Sequence, residues 1–155
     1  MTHVIQPVNL SSLLADRVWV MPDRQRKEDV FKKLVQSICQ TDNALVESEV
    51  LNLVLQREKS MGTTLETGMS VPHARVEGLE KAVGALAILP QGVTGGEKPA
   101  IEAVLLFVSP SRAEYFQNHL QILALVAQTF TPQYLRELCR CKTAEQARAL
   151  LTNQK

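Results

Sequence analysis

The sequence predicts an α/β or α+β fold in which helices cover both faces of a β-sheet. Three observations lead there. The first third carries apolar residues at helical spacing, the middle carries two apolar runs of strand length (82–89 and, within 101–108, the continuous stretch 103–108 after Glu102), and the final third returns to helical spacing. An apolar run without polar alternation indicates a strand buried on both faces, which needs a layer of helices on either side.

The elements follow in chain order. Asn9 or Ser11 can cap a short helix through Leu13 and Leu14. Val18, Trp19 and Val20 form a short strand candidate. Residues 26–40 place Val30, Phe31, Leu34, Val35 and Ile38 on one helical face, with Lys27, Lys32, Lys33 and Gln36 on the other. The cluster Thr41-Asp42-Asn43 ends that helix. A second helix over 47–58 buries Val50, Leu51, Val54 and Leu55 and runs out through Arg57-Glu58-Lys59 into a loop containing Gly62. Residues 68–71 make a short strand stopped by Pro72, and the two long apolar strands follow, separated by the Gly/Pro-rich turn 91–99. Residues 111–118 read as extended. The stretch 115–130 is apolar almost all round, which predicts a helix deep in the core, Phe116 included. Thr131-Pro132 opens a further helix with a cap and a Pro at its first position. Thr143 with Gln146 fits a capping box for a last helix reaching about Leu151.

No repeat or linker interrupts this order, so residues 1–155 read as one domain with its core at about 10–151. The 17 Lys and Arg against 16 Asp and Glu leave a formal charge of +1, which argues against nucleic acid as a partner, because that work requires a basic excess on one face. The three cysteines, Cys39, Cys139 and Cys141, do not suit a disulfide framework, and the Cys139-Arg140-Cys141 pair lacks a second pair to complete a zinc site, so those two read as small apolar residues near a helix end. The first ten residues lack the charged and apolar regions of a secretory signal, and no apolar run approaches the roughly 20 residues of a membrane span. The expectation is a cytoplasmic protein without membrane insertion.

The chemistry concentrates at the histidines. His3 lies in the N-terminal segment and is set aside. His73 stands in Gly68-Met69-Ser70-Val71-Pro72-His73-Ala74-Arg75, where a strand runs into Pro, His, a small residue and a cation. Pro72 fixes its own φ and holds Val71 extended, so the imidazole projects from a stiff mount at a strand end. A neutral imidazole is a nucleophile near neutral pH, and Arg75 is placed to orient an anion. The competing reading is a loop histidine bonded to a backbone carbonyl. His119 enters the late helix near its first turns, where unpaired N–H groups favour a phosphate; the competing reading is a surface histidine.

Taken together, Arg57-Glu58-Lys59, Thr67 through Arg75, and His119-Leu120-Gln121-Ile122 through Ala127 resemble the fructose/mannitol-type enzyme IIA domain of the bacterial phosphoenolpyruvate-dependent phosphotransferase system, including its nitrogen-regulatory branch. The resemblance covers about residues 10–151 and implies a central mixed β-sheet flanked by helices. It implies that His73 is phosphorylated by the histidine-containing phosphocarrier protein HPr and passes the group to a cysteine of an enzyme IIB. Arg57 and His119 match the family's active-site arginine and second histidine, with Arg57, His119 and Arg75 as phosphate-binding groups. No metal and no cofactor is implied. Thr64 and Glu66 stand where many members carry glycines, and Ala74 stands where Gly is common.

Three functions are compatible with these residues. One is a phosphohistidine carrier for sugar uptake. A second is a free-standing regulatory enzyme IIA that controls a target protein through its phosphorylation state. The third, a metal-binding or structural domain using His73 and His119, lacks a third ligand at local spacing.

Overall fold

A computed structural model describes residues 9–43, 45–60, 62–95 and 100–152; His3 lies outside them. The order is α1 (Leu10–Leu14), β1 (Val18–Val20), α2 (Lys27–Cys39), α3 (Glu47–Ser60), β2 (Met69–Ser70), β3 (His73–Val76), β4 (Val83–Ile88), β5 (Ala103–Pro110), a 3₁₀ turn (Ala113–Tyr115), α4 (Phe116–Thr129), α5 (Pro132–Cys139) and α6 (Ala144–Thr152). Among the described residues the five strands form one mixed sheet, as the resemblance implied. β5 is its axis: β4 runs antiparallel on one side, and β2 and β3 run parallel on the other, one after the other along the same edge. β1 closes the far side, parallel to β4.

The pleat divides the strands between two cores. Val104, Leu106 and Val108 of β5, with Ala85 and Ala87 of β4, pack against Val30, Phe31, Leu34 and Ile38 of α2 and Val50 and Val54 of α3. Leu105 and Phe107, with Leu86 and Ile88, pack against Leu13 and Leu14 of α1, Ile122 and Val126 of α4, and Leu135 and Leu138 of α5. This two-sided burial accounts for the uninterrupted apolar runs. Both helix caps expected from sequence are present at Asn9 and Thr131, whose side chains accept from the backbone N–H of Ser12 and Tyr134. At the last helix, Thr143 accepts from Gln146 N–H, while the Gln146 side chain accepts from Lys142 N–H, one residue outside a standard capping box. The three cysteines are free and half-buried, with Cys39 and Cys139 ending α2 and α5.

Four expectations are corrected. His73 follows the short strand β2 as expected, but it also begins a strand of its own, β3. Pro72 has no N–H to pair, so the edge is broken at Val71-Pro72, while the Pro72 carbonyl accepts from Phe107 N–H at 3.1 Å and carries the chain back onto β5. Residues 111–118 are not extended, since the 3₁₀ turn and the start of α4 occupy them. α4 is half-buried rather than deep: Asn118, His119, Ile122 and Val126 are buried, whereas Phe116 is 52% and Leu120 48% exposed. The helix lies on one face of a sheet, and its other side meets solvent. Phe116 is therefore outside the core.

Leu106 is fully buried between β5 and α2. Leu106→Ala is expected to lower stability by about 3 kcal/mol through lost burial and an unfilled cavity, measured by urea denaturation. A loss below about 1 kcal/mol would mean that the two helices of that face collapse onto the gap.

Candidate active site

Parallel register brings the site together. His73 lies beside Phe107 and Arg75 beside Ser109, so these four residues project from the same face, towards α4. Their alternates, Ala74 and Val76, pack into the opposite core. On α4, His119, Ile122 and Val126 recur at spacings of three and four and form the buried stripe that meets the sheet. The His73 ring stacks on Phe107 with centroids 5.3 Å apart and planes at 13°. The His119 ring is 5.1 Å from His73 and 5.3 Å from Phe107, tilted to both. His119 is thus buried, contrary to the surface-histidine reading.

His73 Nδ1 lies 2.7 Å from the Val71 carbonyl. A carbonyl only accepts, so Nδ1–H donates and Nε2 carries the lone pair. The contact of the loop-histidine reading is present, and its effect is to fix the tautomer. Nε2 is buried and has no hydrogen-bond partner among the described residues. Burial, followed by the nearby Arg57 cation, lowers the His73 pKa, against the opposing Val71 bond and Glu58 carboxylate. His119 is held at about 4, first by burial and then by His73, Arg75 and Arg57. Both shifts favour the neutral rings.

The cations differ in setting. Arg57 sits exposed in the last turn of α3, and its charge is felt by both histidines. Its neighbour Glu58 pairs with Lys27 at 3.1 Å and accepts from the Thr63 hydroxyl at 2.5 Å. The Thr63 carbonyl in turn accepts from Val71 N–H at 3.0 Å, tying the end of α3 to the mount of His73. Arg75 is anchored: Nη2 donates to the Pro110 carbonyl at 2.9 Å and the Arg112 carbonyl at 2.8 Å, and its guanidinium lies 5.5 Å from the Phe116 ring centre. Its Nε is buried and without a partner among the described residues.

In the segment before β2, three backbone donors are engaged internally, while the Thr67 hydroxyl is buried without a hydrogen-bond partner among the described residues. The backbone N–H groups of Thr63, Leu65 and Gly68 already donate to Glu58, Met69 and Leu65. Gly68 itself is required by its φ of +99° and by the Ala100 carbonyl, 3.0 Å from where a Cβ would stand. Among the described residues, no group of three His, Cys, Asp or Glu side chains could hold a metal ion, and no helix is long and apolar enough to cross a membrane.

The family model for the phosphoenolpyruvate-dependent sugar phosphotransferase system, EIIA 2, matches residues 11–154. The chain belongs to this family. It is 30% identical over 103 residues to a nitrogen regulatory protein of Bradyrhizobium diazoefficiens and 29% identical over 87 residues to a fructose-specific EIIA component of Haloferax volcanii. These matches cover 65% and 56% of the chain, and the chain spans 66% and 56% of those relatives' lengths. Among solved structures, the nitrogen regulatory protein IIA-Ntr of Neisseria meningitidis superposes with a TM-score of 0.75 at 23% identity, covering 92% of this chain and 98% of that one. The IIA mannitol protein of Escherichia coli gives 0.69 at 20% identity, with coverages of 88% and 96%. These likenesses establish the EIIA fold.

Two participants in the EIIA site escaped the sequence reading. Ser109 lies 2.6 Å from His119 Nδ1, and Phe107 backs both rings. The signal for Ser109 was available: it interrupts the apolar run at the parity of Leu105 and Phe107, which marks an inward-facing hydroxyl.

With both histidine pKa values lowered, the unfolded chain binds protons near the ordinary 6.5 before the folded chain does. Stability is therefore expected to fall as pH drops from 6.5 towards 4, with His119→Gln weakening the dependence. Urea midpoints across that window test this; a His119 ring proton titrating by NMR at 6.5 would refute it.

Proposed function

We propose that the chain is a phosphohistidine carrier that accepts a phosphoryl group from an HPr-like phosphocarrier on His73 Nε2 and passes it to an enzyme IIB cysteine for sugar uptake. The observation that carries this is the buried Nε2 lone pair, held by the Val71 bond and without a partner among the described residues, beside a second neutral histidine. Buried polar atoms without partners are uncommon, and a reactive role is one reason for retaining them.

The transfer balances without a metal or cofactor. The P–N bond of the donor's phosphohistidine breaks as a P–N bond forms at Nε2, and the donor nitrogen regains its lone pair. His73 keeps its Nδ1 proton throughout, and the Val71 carbonyl stabilises the positive charge that the ring acquires. In the second step the cysteine thiolate of enzyme IIB takes the phosphorus, and Nε2 recovers its pair. Arg57 neutralises the phosphoryl oxygens, for which a planar guanidinium suits well, and its exposed setting leaves it free to meet an incoming group. His119 hydrogen-bonds the same oxygens, and Arg75 adds positive charge behind them. Catalysis is then positioning and electrostatics, as a loose phosphoryl-transfer transition state requires. A neutral His73 also favours nucleophilic attack, because an imidazolium has no lone pair to offer. One neighbour in fold is titled a complex of the Escherichia coli mannitol IIA with phosphorylated IIB, which supports the choice of acceptor.

A regulatory role is the second reading. It is favoured by the name of the relative at 30% identity and of the neighbour at TM-score 0.75, both nitrogen regulatory proteins. The chemistry at His73 is the same, and the output is binding to a target protein.

Incubation with phosphoenolpyruvate, enzyme I and HPr is expected to add one acid-labile phosphate, seen by intact mass. His73→Ala should abolish it, and Arg57→Ala should slow it about a hundredfold. Retention of phosphate by the His73 variant would overturn the assignment. Onward transfer to an enzyme IIB supports transport, whereas a target bound only in one phosphorylation state supports regulation.

A further inference from the structure

We propose that Ser109 is the positioning residue that holds His119 in its Nε2–H tautomer, so that the second histidine presents a hydrogen-bond donor to a phosphoryl group on His73. This rests on the reading of His73 given above and adds the group that prepares its partner.

Ser109 Oγ and His119 Nδ1 are 2.6 Å apart, and both residues are buried. A neutral imidazole carries one N–H, so the pair has two possible arrangements. If Nδ1–H donated to Ser109, the serine hydrogen would need another acceptor. Ser109 is fully buried, and among the described residues its side chain has no hydrogen bond except that to His119. If Ser109 donates to Nδ1, the hydroxyl hydrogen is used and the ring proton stands on Nε2. The second arrangement leaves no buried donor idle.

The mount suits this role. Ser109 lies on β5 opposite Arg75 of β3, so its hydroxyl is fixed by the sheet while His119 is fixed by α4. Phe107, two residues earlier on the same face, holds the plane of the ring from the side. The two histidines are then set in opposite senses by different acceptors and donors. The Val71 carbonyl takes the Nδ1 proton of His73 and leaves a lone pair at its Nε2, whereas the Ser109 hydroxyl fills Nδ1 of His119 and leaves a proton at its Nε2. One ring is prepared to attack phosphorus and the other to bond its oxygens. An alanine at 109 would keep the packing but remove the choice between tautomers.

The test uses the uniformly ¹⁵N-labelled chain at pH 7, with long-range ¹H–¹⁵N correlations reporting each ring's tautomer. Wild type is expected to show His119 with its proton on Nε2. Ser109→Ala should give a mixture of tautomers, and Ser109→Thr, which restores the hydroxyl, should return the wild-type pattern. Phosphate uptake from phosphorylated HPr should slow about tenfold in Ser109→Ala and recover in Ser109→Thr, with the His73 tautomer unchanged throughout. An Nδ1–H tautomer at His119 in wild type, or an unchanged tautomer in Ser109→Ala, overturns the proposal. If wild type takes up no phosphate, the reading of His73 fails, while the spectra still decide what Ser109 does.

Discussion

The parallel pairing of His73–Val76 with Phe107–Pro110 is the constraint on which the site depends. β5 is buried along its whole length and pairs with β4 and with the β2–β3 edge. Its end, Phe107–Pro110, is buried and paired with β3. Pro72 interrupts the edge just before His73, and the return to β5 sets which face the imidazole occupies. A slip of one residue would send His73 into the α2–α3 core and Ala74 towards α4. Phe107, stacked on His73 and facing His119, converts that register into a fixed angle between two rings.

Electrostatics follow from the same placement. Burial favours neutral rings, and the surrounding arginines push in the same direction. The cations are not equivalent. Arg75 is tied to two carbonyls beyond β5 and braces the path into the 3₁₀ turn, while Arg57 stands at the rim in the last turn of α3. The arrangement gives a region of positive potential around two neutral bases, suited to an anion that arrives on another molecule and leaves again. The N–H groups of Thr63, Leu65 and Gly68 are engaged internally, and the side chains of Arg57 and Arg75 supply positive charge.

Much of this was legible in the chain. Continuous apolar runs identified the two central strands because both of their faces are covered, and caps at Asn9 and Thr131 marked their helices through local chemistry alone. The Pro-His-Ala-Arg run, with Arg57 upstream and His119 downstream, pointed to the family that the chain belongs to. The misreadings have physical causes. The apolar character of 115–130 suggested full burial, but a helix laid on a sheet has an outer side, and Phe116 and Leu120 occupy it. The segment before α4 was read as extended because a 3₁₀ turn leaves no periodic trace in three residues.

By itself, then, the sequence determined most of the helices and the two long strands, that His73 follows a proline that restricts the backbone, and which second histidine and arginine are its candidates for company. The elements and the proline mount follow from periodicity, capping and local backbone restriction, all short-range effects; the grouping of His119 and Arg57 with His73 followed from the family resemblance. Only the tertiary structure decided that His73 opens a new strand, that its Nδ1 proton is spent on Val71, that Ser109 meets His119, and that Arg75 is anchored while Arg57 is open. The Val71 bond is local, between residues two apart, and the sequence offered it as one reading; the others depend on contacts between residues ten or more apart, brought within bonding distance by the register of β3 on β5 and by the packing of α4 against it.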